Sequence, residues 1–274
     1  MDNIKKTISF WSGTIAFSIS IYGLISNRKI FTLLGVSFFA LSAVLAFRLL
    51  EIKRQTKKTN IVIDGKRIDA LNVANLTKKP NKSLKIQEGT HFTRVEGNNL
   101  SLYFEYSGYC KNRKGENGFV FSVGGDVNIP FDKLVCYGFD LLNDPHKTHK
   151  IKPFLIKHDG LTKKLKLPFN NSLSKDDQFH IALFCELPRC IKLGKDYITA
   201  TLFYKDALKI KKFSVFLEFV RNHPKWVRIY DVTSGDPRLI KDLRPKYQQG
   251  VSVYYEDKYK NIESEKALVY FFER

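Results

Sequence analysis

Two apolar runs near the start of the chain constrain its folding more than any other feature. Ile8 to Ser26 contains no charged residue, nor does Ile30 to Phe47, and the tetrapeptide Ser26-Asn27-Arg28-Lys29 joins them. Each run is close to the roughly 20 residues needed to cross a bilayer. A single helix through both would far exceed the roughly 30 Å hydrocarbon core and leave Arg28 and Lys29 near its centre. Insertion scales set that cost at about 2.5–3.5 kcal/mol per charge. Two antiparallel spans, 8–26 and 30–47, place the basic pair at an interface instead. A cleavable signal peptide fits less well, because its apolar region is only about 7–15 residues and ends at a small-x-small site.

The flanks set the orientation. Lys5 and Lys6 precede the first span, and Arg48, Lys53, Arg54, Lys57 and Lys58 follow the second, against Arg28 and Lys29 at the tip. Positive charge stays on the cytoplasmic side, so both chain ends are expected there. The same collar, Arg48 to Lys58, suits anionic lipid head groups. Small residues recur along the first span at Ser9, Ser12, Gly13, Ala16, Ser20 and Gly23, and less regularly along the second at Gly35, Ser42 and Ala46. Such a face lets helices approach closely in lipid, within the hairpin or between protomers of a homo-oligomer, and its hydroxyls could line a pore.

Beyond the collar the chain changes character. It is rich in Phe (22) and Tyr (13), residues that favour strands. "NIVIDGKRIDAL" predicts a small hairpin turning at Asp64-Gly65, and "TKKPNKSLKIQEG" predicts a linker or sheet edge. From about residue 90 short aromatic and β-branched runs alternate with turn residues: "LSLYFEYSG", "FVFSVGG", "KLVCYGFDLL", "KIKPFLIKHD", "KKLKLPF", "DQFHIALFCEL", "DYITATLFYKD", "KKFSVFLEFV" and "KWVRIYDVT". In the eighth, Phe213, Val215, Leu217 and Phe219 fall on one face, with Ser214, Phe216 and Glu218 on the other. The C-terminal "LVYFF" predicts a last strand rather than an amphipathic helix. The organisation expected is therefore 1–58 transmembrane hairpin and collar, 59–89 hairpin and linker, and 90–274 a mainly-β body. An immunoglobulin-like sandwich is the expected fold of that body, and a small barrel the alternative.

Catalytic signatures are absent from the sequence. There is no G-x-x-x-x-G-K-[ST], G-x-S-x-G or H-E-x-x-H, so no phosphate loop, nucleophile elbow or zincin helix is expected. His146 and His149 stand near Asp144 in a lysine-rich loop that suits a solvated turn better than a metal. Cys110, Cys136, Cys185 and Cys190 lie among apolar residues and are expected as buried free thiols in a reducing compartment. No cofactor is implied. The formal net charge of +19 points instead to an anionic partner. Lys147, Lys150, Lys152, Lys157, Lys163, Lys164 and Lys166 form one dense series and Lys209, Lys211 and Lys212 another. Either could hold phosphates without reading sequence, or protect strand edges from aggregation.

This combination of two short spans, basic collar and β-rich body without catalytic motifs resembles the two-transmembrane, β-strand-rich effectors of bacterial anti-phage defence. Those accompany cyclic-oligonucleotide signalling systems and some retrons. The resemblance is one of architecture and transfers no ligand-binding residue. It implies an abortive-infection protein, silent until a nucleotide second messenger, or release from a reverse transcriptase–nucleic acid complex, lets it oligomerise and disrupt the inner membrane. The alternative is a membrane-tethered scaffold whose body binds a protein partner.

Overall fold

The structure, a computed structural model, describes residues 44, 60–69, 81, 83–113, 115–124, 127–159, 161–203, 210–262 and 265–274. The spans 8–26 and 30–47, their small-residue face, the collar and Lys209 lie outside the described residues. Among the described residues no helix is long and apolar enough to cross a membrane. The chain divides into Met1–Thr59 and Asn60–Arg274, and the second unit is described below.

That unit is mainly β. Its strands are β1 (Asn60–Ile63), β2 (Lys66–Asp69), β3 (Leu84–Glu96), β4 (Asn99–Cys110), β5 (Glu116–Gly124), β6 (Val135–Asp140), β7 (Phe154–Asp159), β8 (Thr162–Leu173), β9 (Gln178–Leu187), β10 (Lys195–Phe203), β11 (Ile210–Val220), β12 (Trp226–Asp231), β13 (Arg238–Leu243), β14 (Tyr247–Gln249), β15 (Ser252–Ile262) and β16 (Glu265–Glu273). They form a seven-stranded sheet in the order β14-β15-β11-β3-β4-β9-β6, a four-stranded sheet β10-β16-β12-β13, a three-stranded sheet β5-β8-β7 and the hairpin β1-β2. All pairings are antiparallel except β3 with β11 at the middle of the large sheet. An immunoglobulin-like domain shares about seven to nine strands between two sheets. A seven-stranded sheet built around a parallel pair departs from that order.

Alternation explains most strands. In β11 Phe213, Val215, Leu217 and Phe219 are buried on one face. The inward residues of the large sheet share one apolar cluster with Phe119, Phe121, Leu165 and Leu167 of the three-stranded sheet and with Val227, Ile229, Leu268, Tyr270 and Phe272 of the four-stranded sheet. The Leu167 side chain packs directly on Gly138 of β6, where an added Cβ would lie 2.3 Å from a Leu167 methyl. The strand expected at the C-terminus is β16, and its run Ala267–Phe272 is buried on both faces. Leu268, Tyr270 and Phe272 face the main cluster. Ala267, Val269 and Phe271 pack on Ile61, Ile63 and Ile68 of the β1–β2 hairpin. Fully burying an aliphatic or aromatic side chain contributes about 1.5–3 kcal/mol, which makes this run a large share of the apolar stabilisation.

The hairpin turns at Asp64 and Gly65, both with positive φ (48° and 76°), as a type I′ turn requires. Lys66 pins it by donating to the Lys195 carbonyl at 2.9 Å and to the buried carboxylate of Asp196. Leu84 to Gly89, within the stretch expected as linker or sheet edge, belong to a long strand, β3, which begins ahead of the boundary anticipated at 90.

Several polar groups inside the body have well-defined partners. The Asp257 carboxylate, facing inward from β15, accepts the hydroxyl of Tyr270 at 2.8 Å, that of Tyr259, and the Lys241 ammonium. Burial raises the Tyr270 phenol well above its ordinary value. His91 of β3 lies edge-on among the Phe104, Tyr106 and Phe213 rings and hydrogen-bonds the Tyr106 hydroxyl. The expectation of four free thiols requires correction. Cys110 and Cys190 are free and buried, but Cys136 and Cys185 form a disulfide. They are direct cross-strand neighbours in the β6–β9 register, a proximity hidden by 49 residues of sequence separation.

Burial lowers the His91 imidazole from 6.5 to about 3. The folded chain therefore keeps it neutral where the unfolded chain protonates it, so stability is complete above about 6.5 and falls with acidification towards 3. The expected slope from this residue is up to about 1.4 kcal/mol per pH unit. Urea unfolding between pH 7.5 and pH 5 should show a steeper loss for the wild type than for His91→Gln. Equal slopes would contradict the buried neutral imidazole.

Candidate functional site

The outer face of the seven-stranded sheet, turned away from the shared core, carries the most organised group of accessible side chains. Register places Phe216 of β11 beside Phe92 of β3, Phe92 beside Tyr103 of β4, Tyr103 beside Phe184 of β9, and Phe184 beside Tyr137 of β6. Five half-buried rings thus cross five strands in one row. The Tyr137 and Phe184 rings stack at 5.0 Å, and Phe139 meets Tyr137 edge-on at 5.5 Å. Cross-strand aromatic pairs of this kind stabilise sheets by about 0.2–1 kcal/mol each.

A hydrogen-bonded chain of polar groups borders the row. The Tyr103 hydroxyl donates to Glu105 Oε2 at 2.7 Å, and His180 Nε2 meets Glu105 Oε1 at 2.8 Å. Lys147 donates to the Tyr103 hydroxyl at 2.9 Å, with its ammonium 4.6 Å from that ring's centre. Lys150 stands 4.3 Å from the centre of the Tyr137 ring. Hydrogen bonding from His180 is the largest influence holding the Glu105 carboxyl below its ordinary value. Burial, followed by the bond to Glu105, raises the Tyr103 phenol. Cation–ring contacts at exposed sites contribute about 0.5–1 kcal/mol each.

The loop after β6 delivers the two lysines. Asp140 accepts the amides of Leu142 and Asn143 at 3.2 and 3.3 Å, and side-chain amides of Asn143 and Asn170 at 2.8 and 3.0 Å. Asp144 accepts the His149 amide at 2.7 Å and the Thr148 hydroxyl at 2.8 Å, and the His149 amide bond leads the influences lowering its carboxyl to about 2. Gly138 and Ile151 close the loop by a backbone bridge. Lys147 adopts a positive φ of 57°, a conformation with a steric cost for a residue bearing Cβ, held here by the turn around it. Asp144, Thr148 and His149 thus form a hydrogen-bonded turn that also carries the exposed His146, and among the described residues no three His, Cys, Asp or Glu side chains converge on a metal position.

The lysine series expected to act together is divided among separate places. Lys147 and Lys150 serve the aromatic row, while Lys152 is exposed ahead of β7. Lys164, opposite Lys157, and Lys166 belong to the three-stranded sheet. Lys163 is corrected as an anionic-partner residue. It shares the inward face with Leu165 and Leu167, retains 3% exposure, and burial lowers its amine. Lys211 is exposed and Lys212 pairs with Glu88 at 2.9 Å. Tyr103, Glu105 and His180 went unnoticed in the sequence, although the alternation in "LSLYFEYSG" places Tyr103 and Glu105 on one face.

No protein-family model matches the chain, and no curated protein matches it. Among solved structures, an M1 zinc metallopeptidase from Deinococcus radiodurans is similar at TM-score 0.42 and 8% identity, over 71% of this chain and 43% of that one. A Legionella pneumophila protein proposed to bind a nutrient is similar at TM-score 0.43 and 10% identity, over 72% of this chain and 68% of that one. The chain thus spans under half the length of the peptidase it matches. At such scores the likenesses bear on neither fold assignment nor activity.

With its carboxyl held low, Glu105 stabilises the fold fully above its ordinary value of 4.5, and that contribution disappears as pH falls through the depressed folded value. Replacing it by Gln should cost about 1–2 kcal/mol at neutral pH. The difference in Tm between wild type and Glu105→Gln should shrink on acidification below 4.5; a difference constant with pH would contradict an ionised Glu105.

Proposed function

We propose that this chain is a non-enzymatic membrane effector of the bacterial anti-phage type, anchored in the inner membrane by its two apolar runs, with the β body sensing on the cytoplasmic side. The observation that carries the sensing role is the placement of Lys147 over Tyr103, the middle ring of a half-buried aromatic row, and of Lys150 over Tyr137 at its end. Two cations held over rings, beside an acceptor carboxylate and a histidine, suit a partner that combines negative charge with planar or apolar groups. A nucleotide second messenger has that chemistry, as does a reverse transcriptase–nucleic acid complex. The small-residue face of the first span would then join protomers into a membrane-disrupting oligomer. We read the body as a sandwich, with the seven-stranded sheet across the shared core from the two smaller sheets. On the cytoplasmic side, reducing conditions would hold Cys136 and Cys185 as facing thiols.

The second reading, a membrane-tethered scaffold binding a protein partner, draws on the same aromatic row, since aromatic residues are enriched where proteins meet. Membrane potential in phage-infected cells separates the two. Wild type should depolarise them; Tyr103→Ala/Lys147→Glu should not, although it inserts normally. Gly13→Leu/Ala16→Leu should fail in the same way while keeping the body folded. Exchange of residues 1–47 for an unrelated two-span anchor should abolish depolarisation. Retained activity after that exchange would favour the scaffold, and wild-type depolarisation by Tyr103→Ala/Lys147→Glu would remove the sensing role from this face.

A further inference from the structure

The outer face of the three-stranded sheet combines exposed apolar side chains with lysines. β7 is an edge strand of that sheet. Its Phe154 and Ile156 are each 49% exposed. The register shifts between Leu155 and Lys157, and this irregularity lets two successive residues, Ile156 and Lys157, both stand exposed while Leu155 packs on the core. Across from β7, register sets Lys164 opposite Lys157 and Lys166 opposite Phe154. Lys152, also exposed, leads into the strand.

Register sets two lysines, Lys157 and Lys164, across one rung of this face. Lys166 is engaged on the other side of β8, with Glu116 at 3.7 Å and the Asn117 side chain. A face of this kind attracts a polyanion, and the apolar pair decides which one. Bases would be gripped by stacking on aromatic planes, but Ile156 offers no ring. An exposed branched aliphatic and an exposed phenyl group two positions apart on one edge strand, with lysines on that strand and its neighbour, match the boundary between head groups and acyl chains, where apolar side chains insert and lysines meet phosphate.

We propose that the β7–β8 face docks on an anionic lipid surface, with Phe154 and Ile156 entering the head-group region and Lys152, Lys157 and Lys164 meeting lipid phosphates. This surface is separate in residues from the Tyr103–Glu105–His180 face, and it stands whether or not residues 8–47 span a bilayer. Docking here would hold the body against the membrane and fix which of its faces is presented to a partner.

Hydrogen exchange of the full chain, reconstituted into or mixed with bilayers of phosphatidylcholine alone or containing phosphatidylserine, tests the assignment. Peptides covering 152–166 should exchange more slowly with the anionic bilayers, by about threefold or more, while β3 and β4 are unchanged. Lys157→Glu/Lys164→Glu and, separately, Phe154→Ser/Ile156→Ser should each abolish the difference. Unchanged exchange in β3 and β4 shows that these variants fold. Equal exchange at 152–166 in the two lipid compositions would overturn the proposal. So would protection by a single-stranded oligonucleotide without protection by anionic lipid. A chain that fails to incorporate yet shows the difference on added vesicles would contradict the membrane anchor while supporting this face.

Discussion

The double burial of β16 is the contact on which the rest of the body depends. Leu268, Tyr270 and Phe272 close the cluster shared with the seven-stranded sheet, while Ala267, Val269 and Phe271 receive the β1–β2 hairpin. A strand buried on both faces reads as a continuous apolar run rather than as an alternation, and "ALVYFF" is such a run. Its central tyrosine donates to Asp257, so the inward carboxylate of β15 satisfies a hydroxyl buried in the apolar core. Lys241 and the Tyr259 hydroxyl complete the shell around that carboxylate.

With one face of the seven-stranded sheet committed to this core, the chemistry open to solvent is sorted onto outer faces. The large sheet presents an aromatic row with an ordered polar border. The small sheet presents an apolar edge with lysines on that strand and its neighbour. A charge excess spread through the chain thus becomes two surfaces of different character, one with cations held over rings and one with lysines set across a strand pair. Each suits an anion, but of different chemistry.

Much of this was legible locally. Alternation marked β11 correctly, the Asp-Gly turn marked the first hairpin, and the C-terminal run was recognised as a strand. What failed was long-range. β3 pairs in parallel with β11, more than a hundred positions away, and nothing within "SLKIQEG" announces a partner so distant. The same distance hid the Cys136–Cys185 neighbourhood and the meeting of Lys147 with Tyr103. Lys163 was misassigned because a lysine in a basic run is ordinarily solvated, whereas strand parity, shared with Leu165 and Leu167, turns it inward. The candidate site therefore emerges only once strand order is known, since its rings come from β11, β3, β4, β9 and β6.

The central claim is that the aromatic row is where the body meets its partner. A photoreactive amino acid placed at Phe92, within that row, tests it in cells expressing the full chain, with the exposed Leu193 as the control position. The account predicts an infection-dependent covalent adduct from position 92 and none from position 193. An adduct from position 193 with none from position 92 would contradict it.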